Sequence, residues 1–194
     1  QGWSLFSWLV EYFVRNHAWS RTEIGLSYGS IALVVGIAGS VSGGLFAGRM
    51  IKQGRTDATL RVVLYSTIVL FPLAAFLTII PNPYLALALL VPVTFCMAMP
   101  PGLIIATLQT VAPNELRGQM VAFYLIAVNF LSYSFAPSLP AVISDFVFQS
   151  ELALGKAISL LAVVNYGIAI LCLGLSLKYF REAVIRANAW RSGP

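Results

Sequence analysis

At 194 residues the chain is 59% hydrophobic and only 10% charged, far below the roughly 25% charged share of a soluble domain, which excludes water as the solvent for most of its side chains. Its formal charge of +5 does not make a nucleic-acid surface, because apolar runs of lipid length separate the Lys and Arg residues that would have to gather on one solvated face. One histidine, two cysteines set within apolar runs (Cys96 and Cys172) and dispersed carboxylates offer neither zinc-type spacing nor a nucleophile with its base, so the expectation is no enzyme, no metal and no cofactor.

The first apolar run, Gly2 to Val14, is shorter than the ~20 residues a span needs and predicts a helix at about residues 2–15 whose upstream part precedes Gln1. Ser20-Arg21-Thr22-Glu23 fits a capping box and starts a second helix, expected at about 23–50. That helix carries small residues at every fourth position, Ala32, Gly36, Ser40, Gly44 and Gly48, with Gly39, Gly43 and Ala47 on the adjoining row. In lipid, where helices gain little from hydrophobic association, such a stripe lets another backbone approach closely and predicts a helix contact surface.

From Val62 through Asn114 the chain runs fifty-three residues without Asp, Glu, Lys, Arg or His. One continuous helix of that length would measure about 80 Å, against a hydrocarbon core of about 30 Å, so the stretch must cross twice. Pro81-Asn82-Pro83 is the place to fold back, since the prolines remove backbone donors and Asn tolerates turn geometry. Helices are therefore expected at about 60–80 and 84–111. Two further charge-free runs, Gly118 to Ser144 and Ala157 to Leu177, predict helices at about 118–144 and 156–180. Residues 181–194 are left as a polar tail, with weak amphipathic-helix character.

The expected fold class is all-α, a polytopic six-helix transmembrane bundle over residues 1–180 in a lipid bilayer. Between crossings the loops alternate sides. One side receives Arg49, Lys52, Arg55, Arg61, Arg117, Lys178, Arg181, Arg186 and Arg191, and the other only Arg15, Arg21 and Lys156. By the positive-inside rule the nine-charge side is cytoplasmic, with the C-terminus.

Gly43-Gly44-Leu45-Phe46-Ala47-Gly48-Arg49, followed by Lys52, Gly54, Arg55 and Asp57, resembles the glycine-rich loop motif of the major facilitator superfamily, in the version between the second and third helices of the C-terminal half. The family usually has Asp where this chain has Gly48. Gln109 and Ala112-Pro113-Asn114-Glu115-Leu116-Arg117-Gly118, leading into Ala122-Phe123-Tyr124, is similar to the cytoplasmic loop between the fourth and fifth helices of that half. Trp8, Arg15, His17-Ala18-Trp19-Ser20 and Glu23-Ile24-Gly25 resemble the exit of its first helix. These matches cover most of the chain and point most closely to the spinster-like branch, including bacterial members. The resemblance implies helices seven to twelve of a twelve-helix secondary transporter of an inner (plasma) membrane, partnered by an N-terminal six-helix half. It implies gating by the loops around Gly44, Gly48, Arg49, Arg55, Glu115, Arg117 and Gly118, and a small or lipid-like amphipathic substrate.

Proline and polar side chains within the spans mark candidate mechanism. Pro100 and Pro101 remove bonds to the carbonyls of Cys96 and Met97, and Pro137 and Pro140 those to Tyr133 and Ala136. Irregular backbone at membrane depth is tolerated where it lines protein or a water-filled cavity. Asn129, Ser132, Tyr133 and Ala136 share one helix face. Asn129 suits either an interhelical hydrogen bond or a substrate cavity, and Tyr133 either packing or an amphipathic ligand. Thr94, Met97 and Tyr28 are further substrate-lining candidates. Glu11 is the acidic candidate for proton coupling, although Arg15 lies four residues on, in the favourable order for a helical ion pair. His17 reads as an exposed loop residue and Asn165 as a packing hydrogen bond. The alternative reading is a homo-oligomeric six-helix channel or scaffold subunit, with the small-residue stripe serving self-association.

Overall fold

The structure, a computed structural model, describes residues 2–77, 80–135, 138, 142 and 154–191. Its helices are α1 (Gly2–His17), α2 (Arg21–Lys52), α3 (Ala58–Leu77), α4 (Pro83–Ala98), α5 (Pro100–Val111), α6 (Arg117–Phe135) and α7 (Leu154–Arg191), with one 3-10 turn at Asn114–Leu116. No strand occurs among the described residues. The chain is all-α, and five stretches are long and apolar enough to cross a membrane: Arg21–Lys52, Ala58–Leu77, Pro83–Val111, Asn114–Phe135 and Ala157–Ala187. With 16 residues, α1 is about 24 Å long, and it is not among the five.

Local chemistry sets the boundaries. Ser20 caps α2 by accepting from the Glu23 amide at 3.2 Å, while Glu23 accepts from the Ser20 amide at 2.9 Å, the reciprocal box expected of that tetrapeptide. Asn82 caps α4, its side-chain oxygen accepting from the amides of Tyr84 and Leu85, and Pro83 takes the first helical position, where its missing N–H costs nothing. Between α2 and α3, Gly54 sits at φ +82°, a left-handed conformation that a side chain would strain.

Two prolines do not act as breaks. α3 is helical through Pro72 and α4 through Pro92. The hydrogen-bond ladder is interrupted at Met99, where Pro100 and Pro101 follow and divide α4 from α5, although Met99 itself keeps helical angles of φ −68° and ψ −48°. The predicted interruption at Pro137 and Pro140 lies outside the described residues, as does Ala136.

α3 is the central post, packed against α7, α4, α5 and α2. One core joins Leu9, Tyr12 and Phe13 of α1 to Leu70 and Leu77 of α3, Leu90 and Val93 of α4, and Ile158 of α7. A smaller one gathers Ala47, Val62, Val63 and Leu103. α6 leans on α5 and buries no residue, presenting Phe123, Ile126 and Phe130 outward. Through the segment expected as a polar tail with weak amphipathic-helix character, α7 continues to Arg191, with Val184 and Ala187 buried against the bundle.

Contacts between ends fix the up-and-down order. At one end Tyr12 donates to the Ile80 carbonyl at 3.4 Å and Trp19 meets Tyr84 edge-on at 5.9 Å. At the other, the Thr59 and Thr107 hydroxyls lie 2.8 Å apart and Asp57 meets Arg181 at 2.6 Å. The α2–α3 turn and the end of α7 thus meet, and α3 and α5 join at the same end of the bundle.

Candidate functional site

The small residues of α2 divide into two faces. A Cβ at Gly39 would stand 2.4 Å from the Phe95 carbonyl oxygen, and one at Gly43 would stand 3.1 Å from Met99 Cβ. This row, with buried Ala47, is the close approach to α4, directly beside the break. Gly36, Gly44 and Gly48 have open space beyond their Cα atoms. Ser40 bridges the faces, its hydroxyl lying 2.9 Å from the Gly36 carbonyl and 3.2 Å from the Ala98 carbonyl at the break. The sequence pattern gave the two rows equal standing, and only the Gly39 row is closed within the bundle.

Three of the expected lining residues come together on this contact. Thr94 of α4 is buried, and Tyr28 of α2 is half-buried. Both lie in or beside the core that Met97 and Tyr166 pack against.

Asn129 and Tyr133 stand on the exposed side of α6. The Asn129 amide donates to the Leu125 carbonyl of its own helix at 2.7 Å, so the interhelical bond expected for it is replaced by a back-bond one turn earlier. Asn165 does the same to Leu161 at 2.9 Å. Ser132 is half-buried on the same helix.

Glu11 meets Arg15 at 2.7 Å, the i, i+4 pair that the spacing predicts, and Arg21 joins it at 3.4 Å. His17 differs from its expected exposed position. It is the last residue of α1, half-buried, with its ring 5.4 Å from those of Tyr12 and Phe13, and its Nε2 has no hydrogen-bond partner among the described residues. The cause is Ala18, whose φ of +54° turns the chain and leaves the imidazole folded back on α1.

At the opposite end the loop motifs have definite geometry. Arg49 closes α2, its carbonyl accepting from the Gln53 amide, and Arg55 follows Gly54 with its amide donating to Met50. Glu115 is exposed on the 3-10 turn, Gly118 has open space around it, and Arg117 folds back so that its Nε donates to the Ala112 carbonyl at 3.4 Å.

The strongest electrostatic feature is Asp57, which sequence reasoning included only as the end of the loop motif. Its side chain is 3% exposed, and Oδ2 accepts from Arg61 Nε at 2.8 Å and from Arg181 Nε at 2.6 Å. Burial pushes this carboxyl up, but the two guanidinium donors outweigh it and hold its pKa below the ordinary value. The Arg61 spacing is a sequence signal, whereas the Arg181 contact spans 124 positions and has none.

Among the described residues no three His, Cys, Asp or Glu side chains converge as a metal site would require. What the arrangement offers is a close helix contact beside the Pro100-Pro101 interruption, with Tyr28 and Thr94 on the two helices that make it, and a charge clamp at one end. Set against protein-family models, curated proteins and solved structures, the chain matches none of them.

Proposed function

We propose that this bundle is the C-terminal half of a twelve-helix secondary carrier of the major facilitator type, close to the spinster-like branch, working by alternating access. In this reading α1 completes a sixth crossing. A preceding six-helix half forms the other wall of a midplane site, and the basic end with the C-terminus faces the cytoplasm of an inner membrane. The substrate is a small or lipid-like amphipathic solute, with protons as the candidate coupling ion. Tyr28, Thr94, Met97, Asn129 and Tyr133 are its proposed lining residues, and Glu11 the proposed coupling residue.

The observation that carries this reading is the division of α2. One glycine row closes on the α4–α5 break, while Gly36, Gly44 and Gly48 have no neighbour within 4 Å. A rocking carrier needs both: a fixed contact inside each bundle and a smooth face against which a second bundle can move. Beside the fixed contact, Pro100 and Pro101 leave helical carbonyls without their amide donors, the local polarity that such sites use.

The test is counterflow in liposomes with the intact carrier, offering lysolipids, organic acids and sugars with and without a proton gradient. Gly44→Leu should reduce transport at least about tenfold while insertion and folding persist, since a leucine there meets nothing within this bundle. Unchanged transport would remove the moving-contact role. A purified chain that assembles with copies of itself and moves no solute would favour the six-helix channel or scaffold.

A further inference from the structure

Between α2, α3 and α4 lies an open groove of about 510 Å³, walled by Phe46 and Met50, by Val62 and Val69, and by Phe95 and Cys96. Its volume is that of a ligand cleft rather than a packing defect. Nothing on its exposed wall is polar. Ser66, on the same wall, turns its hydroxyl to the Val63 carbonyl at 2.9 Å, so no unsatisfied group asks for a polar ligand. From Val62 to Val69 the groove runs about 10 Å along the helix axis. Its long direction follows helices that are apolar enough to span a bilayer.

One end is different. Tyr65 lines the groove one helical turn from Arg61. The turn just beyond carries Arg49, Lys52 and Arg55, all exposed, and none of these three belongs to a described ion pair. Asp57, the acid of that turn, is already held by Arg61 and Arg181. The groove is thus apolar, and the basic turn follows in the chain directly after its α2 wall of Phe46 and Met50. A second copy of the chain docked symmetrically here would bring the same cations against one another. An acyl chain with an anionic headgroup satisfies both parts.

We propose that this groove holds one acyl chain of an anionic phospholipid from the surrounding bilayer, with its headgroup drawn to Arg49, Lys52 and Arg55. The site needs membrane insertion and not transport, so it stands or falls separately from the carrier reading.

The experiment is native mass spectrometry of the purified intact protein in detergent, titrated with phosphatidylglycerol or phosphatidylcholine of identical acyl chains. Retention of phosphatidylglycerol should be at least about fivefold greater, the scale of a single Lys or Arg at an anionic surface. Arg49→Gln, Lys52→Gln and Arg55→Gln combined should erase that preference. Val69→Trp, made at an exposed groove position, should abolish retention in a protein that still elutes as one species. As an independent readout, Val69→Cys in a Cys172→Ser background should react with maleimide several-fold more slowly once phosphatidylglycerol is added. Equal retention of the two lipids, retention indifferent to Val69→Trp in the folded variant, or a reaction rate indifferent to lipid would each overturn the site. So would a dimer that Val69→Trp dissolves, which would make a second copy the occupant.

Discussion

At Asp57 one carboxylate oxygen serves two arginines, from α3 and from the far end of α7. A buried charge is costly unless paired, and removing it strands Arg61, which is only 22% exposed. Arg181 is half exposed, so water screens its share. Asp57→Asn should therefore cost about 2 kcal/mol in reversible unfolding of the detergent-solubilised protein. The pH dependence has a definite sign. A carboxylate with a depressed folded pKa contributes stability that is complete above its unfolded value near 4 and is lost as pH falls through the lower folded value. The stability gap between wild type and Asp57→Asn should accordingly be constant from about pH 7 to 5 and close below about pH 4. A gap that persists undiminished at pH 2 would mean the carboxylate is not the source. Short spacings such as Ser20 to Glu23 and Glu11 to Arg15 are legible in the sequence because a helix turn fixes both partners. Arg181 is not, because only tertiary packing brings it to the α2–α3 turn.

Among the elements, α2 shows how far a sequence stripe goes. Period four identifies a small-residue face, but adjoining rows lie close together around the helix, and only a neighbour decides which is closed. Here α4 chose Gly39 and Gly43. Gly39→Leu must push the Phe95 carbonyl away and should destabilise the bundle by about 1–3 kcal/mol, whereas Gly44→Leu should change stability by less than about 0.5 kcal/mol. The two variants make the same substitution five residues apart on different faces of one helix, so unfolding by denaturant in detergent micelles compares like with like. Equal losses would place α4 against the wrong row. The prolines teach a related lesson. Pro100 and Pro101 interrupt the hydrogen-bond ladder because two successive amides are missing, while Pro72 and Pro92 each remove one, a loss that the surrounding helix absorbs. A sequence marks every proline alike.

For the whole molecule, apolar length alone made the all-helical, membrane-type bundle legible, and polar interruptions placed its turns. Where α7 ends could not be read that way, because Val184 and Ala187 are held by contacts that composition does not display. The proposed six-pass arrangement makes a demand on sidedness that chemistry can check. Arg55, Glu115 and Arg186 are exposed and lie beside the turns or helix end that gather with the Asp57 clamp, whereas Pro81 is exposed at the opposite end beside Trp19 and Tyr84. Single cysteines at Arg55, Glu115, Arg186 and Pro81 can be introduced with the buried Cys96 replaced by alanine and the exposed Cys172 by serine. An impermeant maleimide added outside intact cells should then label Pro81→Cys alone, and the other three should react only after the membrane is opened. The asymmetry follows from nine basic residues on one side against three on the other, a bias that orients short-looped helical proteins with the basic turns inward. Labelling of Pro81→Cys and Arg55→Cys from the same side would mean that α3 does not cross, and no carrier half could then be built from these helices.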